Sequence, residues 1–186
     1  SSPLLSIIVG ILILDLVGAY LPHLVQHKVK LLWYIHIVHH TDQKVDTTTA
    51  NRHHPFESII RFTFTLIGIF ISGAPIGLVL MYQSLSVILS QFNHANIQIS
   101  EKVDKALSYI IVSPNMHKVH HHFELPYTDS NYGNIFSLWD RLFGTYMELS
   151  KNEIIYGIDT DVDEIQNSKF ISLIERPFKK WFNHFN

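Results

Sequence analysis

Apolar residues gather in blocks along this chain, and polar residues fill the stretches between them. Residues 4–21 are apolar apart from Ser6 and Asp15. At 1.5 Å of rise per residue this block just reaches across a hydrocarbon core; the competing reading is a buried core helix. A polar, histidine-rich stretch follows over 23–57. A second apolar block, 59–92, is interrupted by Ser72-Gly73-Ala74-Pro75, where glycine admits a positive φ and proline cannot continue a helix. The pattern predicts helices over 57–71 and 75–93, joined as a hairpin. The first is short for a full crossing, so the hairpin is expected to tilt or to penetrate only partway. Beyond His94 the chain is polar again, with a modest apolar helix expected over 103–112. Residues 1–150 read as one membrane domain and 151–186 as a mixed C-terminal surface tail. There is no repeat, and strand signals are short. The fold class expected is all-α, an integral-membrane helical bundle with histidine-rich stretches outside its apolar blocks.

A hairpin enters and leaves on one side, so the polar stretches before and after it are expected on the same membrane face. Lys28, Lys30, Lys44 and Arg52 lie in the first, whereas the turn at 72–75 is uncharged. The positive-inside rule then places both stretches in the cytoplasm. The chain opens on Ser1 without a basic n-region or a small-residue cleavage site. No signal peptide is therefore read, and a preceding segment is expected to be missing.

Composition sharpens this picture at two points. Among 186 residues, 47% are apolar and only 16% charged, and the net charge of −2 gives no reason to expect nucleic acid. Cysteine is absent, which excludes thiolate-bound metals and iron–sulfur clusters. Histidine, by contrast, occurs thirteen times, against fourteen lysines and arginines together.

The histidines are spaced for helices. His23 and His27 stand four apart, one turn above the other on a single face. His36, His39 and His40 follow i, i+3, i+4, and His117, His120 and His121 repeat that spacing. His94 stands alone just past the hairpin. One such triplet is weak evidence, because single histidines are commonly satisfied polar residues. Two triplets and a pair beside membrane-length segments point to a functional site. Eight or nine imidazoles exceed what one ion takes and suit two ions with about four each. No H-E-x-x-H zincin motif and no Glu-x-x-His carboxylate pair is present. An all-nitrogen dinuclear site remains, and iron is the metal with which it serves oxygen chemistry. Between His27 and His36 a straight helix would be half a turn out of phase. The chain must bend near residues 28–33, or the two groups must serve different ions.

The stretch DLVGAYLPHLVQHKVKLLWYIHIVHHTDQKVDTTTANRHHPFES, then FNHANI, then SPNMHKVHHHFELPYTDSNYGNIFSLWDRLFGTY, resembles the sterol desaturase/fatty acid hydroxylase superfamily, and most nearly its bacterial sterol-desaturase-like branch. The resemblance covers residues 15–146. It implies a membrane helical bundle capped by a cytosolic di-iron site that uses O2 and external electrons on lipid C–H bonds. Carried over by position, the ligands are His23, His27, His36, His39, His40, His117, His120 and His121, with His94 a further one. His54, in the H-P-x-E stretch, is expected to bind or orient a ligand, while His53 and His122 fall where the family pattern needs no histidine. The first box departs from the family's Y-W-x-H-R form, reading Tyr20-Leu21-Pro22-His23-Leu24. Pro22 is expected to kink the span or to open a new helix.

Asp15 has two readings, an outer-sphere acceptor for a histidine of another helix or a polar residue facing the bundle interior. Asn131-Tyr132-Gly133 and Trp139-Asp140-Arg141 match the family's C-terminal signature. Asp129 and Asn131 have turn chemistry, Asp140 and Arg141 are expected to pair, and Trp33, Phe92 and Trp139 to anchor at headgroup level. The activity implied is O2-dependent hydroxylation or desaturation of a sterol, fatty acyl or related lipid by two iron ions. Electrons would come from a separate reductase or carrier, since no dinucleotide or P-loop pattern is present. The alternatives are a histidine-rich metal transport or storage protein and a lipid-binding family member without turnover.

Overall fold

Proline and glycine punctuate the helices of this chain, seen in a computed structural model that describes residues 2–185. Ten α-helices run α1 Pro3–Asp15, α2 Leu21–Lys28, α3 Lys30–His40, α4 Pro55–Ser72, α5 Ile76–His94, α6 Glu101–Leu107, α7 Pro114–His120, α8 Leu138–Leu142, α9 Glu164–Ser168 and α10 Phe170–Phe185. Among the described residues no strand forms, and only the isolated bridges Ile111–Phe136 and His122–Tyr156 occur. The fold is all-α. Three helices are long and apolar enough to cross a membrane, spanning Pro3–Lys28, Pro55–Ser72 and Ile76–His94. Phe62, Phe70, Leu80 and Ile88 stand exposed on them, the arrangement expected of surfaces that face hydrocarbon.

The first span is continuous, because a π-turn at Leu16–Tyr20 links α1 to α2. Pro22 follows directly, and its ring would collide with the carbonyl four residues back in a regular α-helix. The widened turn relieves that collision, so Pro22 neither breaks the span nor separates His23 from His27. The hairpin forms as the sequence predicts. His54 caps α4, its side chain accepting from Phe56 N, and Pro55 fills the first turn. Gly73 closes α4 at φ 61, a conformation a side chain would strain.

Elsewhere the structure corrects the expectations. The helix expected over 103–112 stops at Leu107, and Val112 N instead donates to Ile135 O at 3.0 Å. Asp15 does not reach a histidine. Fully buried, it accepts from Ile135 N, Phe136 N and Trp139 Nε1, satisfying backbone donors that lie outside any helix. Trp139 is thereby buried in the bundle rather than set at headgroup level. Asp140 does not pair with Arg141 but accepts from Tyr132 N, Gly133 N and Thr145 Oγ1. Burial raises its carboxyl to about 6. Arg141 donates to Ser108 O and lies over the Tyr109 and Tyr146 rings. Asp15 thus pins the segment around 131–145 onto the first span, and Asp140 closes that segment on itself. Residues after 150 lie mostly at the surface, with α10 packed on α3, where Trp181 Nε1 donates to Leu31 O, and buried Arg176 paired with Asp161 and Asn167.

Candidate metal centre

A break at Val29 decides the geometry. Its extended backbone, φ −99 and ψ 107, ends α2 and restarts the helix as α3, removing the half-turn mismatch between His27 and His36. The four rings on α2 and on one edge of α3 then meet. His23, His27, His36, His40 and His120 form one group, and His39, His94, His117 and His121 a second. In each, the nearest ligand atoms all lie within 4.8 Å of one another. The i, i+3, i+4 spacing splits accordingly: His36 and His40 serve the first group and His39 the second, because the i+3 position points around the helix from the i/i+4 pair. On α7 and its end, His120 joins the first group while His117 and His121 join the second. All nine histidines named from the sequence are thus brought together.

The hydrogen bonds fix which nitrogen of each ring faces inward. In the first group His23 Nδ1 donates to Tyr132 O at 2.8 Å and His120 Nδ1 to Ser130 O at 2.7 Å. His36 Nδ1 donates to Glu57 Oε2 at 3.1 Å, and His27 Nδ1 stands 3.5 Å from Asp129 Oδ1. Each of these four rings therefore keeps a bare Nε2 that is buried and without a protein partner. Outer partners of this kind are how metal-binding imidazoles are oriented. Trp33 covers the group, its ring 4.8 Å from His27 and 5.2 Å from His40.

The second group carries the sharper test. His94 Nδ1 donates to Ser90 O at 2.8 Å, which leaves Nε2 a lone pair. Three other Nε2 atoms, of His39, His117 and His121, lie 3.2, 3.0 and 3.2 Å from it. One lone pair accepts one N–H, not three. Nitrogens bound tetrahedrally about 2.1 Å from a common ion stand roughly 3.4 Å apart, so a cation fits where hydrogen bonds cannot. Energetics agree. Five inward Nε2 atoms, of His23, His27, His36, His40 and His120, are buried without a protein partner, at about 1–3 kcal/mol each. That cost rivals the whole stability of a domain, about 5–15 kcal/mol. Burial first, then neighbouring imidazoles, holds His39, His40, His117 and His121 well below the usual histidine range, and His120 down to about 3. The rings are kept neutral, as metal ligands must be.

The remaining predicted residues lie apart or in other roles. His54 joins neither group; its Nδ1 caps α4 and its Nε2 donates to Ile174 O at 3.2 Å. His122 Nδ1 accepts from Ile155 N. Two further residues touch the centre: Glu57, to which the sequence reading gives no role, and His53, which it sets aside as not required. Glu57 is fully buried between His36 and His53, with His53 Nδ1 3.0 Å from Oε1. His53 also stacks on His39, ring centres 4.5 Å apart. The signal available was a carboxylate in the first turn of a membrane helix, three residues after His54.

The fatty acid hydroxylase family model matches residues 7–145. The chain is 25% identical over 141 residues to an ornithine lipid hydroxylase of Rhizobium tropici, covering 76% of this chain and 41% of that protein. Against the alkylglycerol monooxygenase of Danio rerio it is 30% identical over 145 residues, 76% of this chain and 30% of the relative. The Xenopus tropicalis alkylglycerol monooxygenase shows 25% identity over 151 residues, 80% and 32%. The chain thus spans well under half the length of these relatives. No solved structure matches it.

Proposed function

The chain belongs to the fatty acid hydroxylase family, and from that premise we propose that it is a membrane-bound, non-haem di-iron oxygenase acting on a lipid C–H bond. The observation that carries this reading is the convergence of four Nε2 atoms on one point of the second group, beside a first group of five rings. His23, His27, His36, His40 and His120 would hold one iron, and His39, His94, His117 and His121 the other. The chemistry supplied by iron bound there is reductive activation of O2 for attack on an unactivated C–H bond. The chain's own residues orient and shield. Tyr132 O, Ser130 O and Glu57 fix the tautomers of His23, His120 and His36, and burial of all nine rings limits water at the reacting centre.

Hydroxylation is favoured over desaturation, since the relatives are named a hydroxylase and monooxygenases. Their names also support a lipid substrate bearing a polar group. Turnover needs electrons from a reductase or carrier, since residues 1–186 carry no nucleotide-binding pattern. Lys28, Lys30, Lys44 and Arg52 lie at the histidine end of the spans and the turn at 72–75 is uncharged, which supports a cytoplasmic centre. Elemental analysis of the full protein produced with iron tests the reading. Two irons per chain and oxygen-18 transfer from O2 into a lipid product are expected; one specifically bound ion or none would sink it.

A further inference from the structure

The hairpin carries polar stripes whose side chains, apart from Arg61 beside Glu57, make no hydrogen bond or ion pair with the residues of the histidine centre among the described residues. On α4, Ser58, Arg61 and Thr65 recur at i, i+3 and i+7, and on α5 Gln83, Ser86 and Ser90 do the same. Each trio therefore occupies one helical face. Polar residues in a spanning helix either bond to a neighbouring helix or mark a functional path. The first account fails here. Helix α4 packs mainly on the first span, and α5 on that span and on α7, rather than on each other, and among the described residues no hydrogen bond joins the stripes. Ser86 Oγ accepts instead from Asn134 Nδ2 at 2.8 Å, and Arg61 stands 3.7 Å from Glu57.

Between the stripes lies a cavity of about 320 Å³, near the lower end of the range for ligand pockets. It has room for a head group and a few carbons, not for a whole lipid. Gly18, inside the π-turn, keeps it open: a Cβ there would stand 3.3 Å from Thr65 Oγ1 and 3.4 Å from Tyr82 Oη. Such turns recur at functional sites. The inner wall includes His53, which stacks on His39 of the second group. The rim includes Phe62 and Val87, 62% and 60% exposed on the face turned to hydrocarbon. Arg61 is the one fixed charge among the described lining residues.

We infer that this cleft binds the polar head of a lipid, that the head carries a phosphate or carboxylate held by Arg61, and that the tail leaves past Phe62 and Val87 into the bilayer. That this lipid is the substrate rests on the oxygenase reading; that it binds does not. The carbon presented to the histidine centre then lies close to the head rather than at the far end of the chain.

Native mass spectrometry of the iron-loaded full chain, released from neutral detergent, measures this directly. The probes are phosphatidic acid, a long-chain fatty acid, phosphatidylcholine and cholesterol at matched concentration. At least one anionic lipid should be retained about tenfold better than the last two, and which one separates phosphate from carboxylate. Arg61→Gln should erase that preference, Arg61→Lys should keep it, and Phe70→Ala on the outer surface should change nothing. If Arg61→Gln sheds iron through Glu57, Gln83→Leu on the opposite wall decides: weaker anionic-lipid retention supports the cleft and unchanged retention overturns it. Equal retention of all four lipids, or a preference that survives in an iron-loaded Arg61→Gln protein, also overturns it. When O2 and an electron donor are supplied, retention of the anionic lipid with none of the four probes oxidised leaves the cleft standing and removes the oxygenase reading. Oxidation of an unretained sterol does the reverse.

Discussion

At the scale of single residues, the centre depends on which nitrogen each imidazole turns inward. Glu57 accepts from His36 Nδ1 and lies against His53. Glu57→Gln should therefore weaken iron retention about 10–100-fold with every ligand still present, measured by competition with a chelator. His54→Ala should cost the cap of α4 and the bond to Ile174 O, about 2 kcal/mol together, and leave the iron content unchanged. Changing His39, His40, His120 or His121 to Ala should each abolish turnover, whereas His122→Ala should keep most of it; the reverse result for His121 and His122 would shift the register by one residue. Acid acts on the same atoms. An unfolded imidazole takes a proton near pH 6.5, while burial holds folded His120 neutral down to about 3. Between those values the unfolded chain binds more protons, so stability falls as the pH drops below about 6.5. Protons also compete with metal. Iron content and unfolding midpoint should both decline from about pH 6.5 downward; iron content that stays flat to about pH 5 argues against histidine ligation.

At the scale of elements, breaks matter as much as helices. Deleting Val29 would remove the extended residue that separates α2 from α3, and with it the change of direction that brings His36 and His40 to His23 and His27. Iron should fall to one ion per chain or fewer, and retention of two would contradict the assigned grouping. Trp139→Phe removes the indole donor to Asp15 at 2.8 Å. With that buried oxygen keeping only Phe136 N, the loss should be about 1–3 kcal/mol, visible as a lower Tm. The helix α10 belongs to the same logic. It braces α3 through Trp181 and α4 through His54, so Trp181→Ala should loosen the histidine cap before the spans.

For the whole molecule, both histidine-bearing stretches must share one membrane face, since a hydrocarbon core of about 30 Å would separate them otherwise. The cysteine-free chain permits a direct test. Single cysteines at Thr47 and Glu124, both exposed, should label together from the cytoplasm. Ser130 is unsuitable because it is buried and its carbonyl anchors His120. Gly73, at the hairpin turn, should be protected or react only from the opposite side. Labelling of Thr47 and Glu124 from opposite faces would exclude a shared centre.

Helical periodicity and Gly-Pro turn chemistry let the sequence alone determine the apolar spans and the hairpin turn, and set the histidines of each box on one helical face. Each of those features depends on residues within a turn or two of one another, where 3.6 residues per turn fixes the face. The division of the nine into five and four needed the tertiary structure, because it rests on the break at Val29 and on rings from segments up to 97 residues apart in the chain, as with His23 and His120. So did the partners of Asp15, Asp140 and Glu57. A carboxylate's partner is whichever donor folding brings within about 3 Å, and here those donors lie 120 residues away for Asp15 at Ile135 and 21 for Glu57 at His36. Local pattern carries no information across such distances.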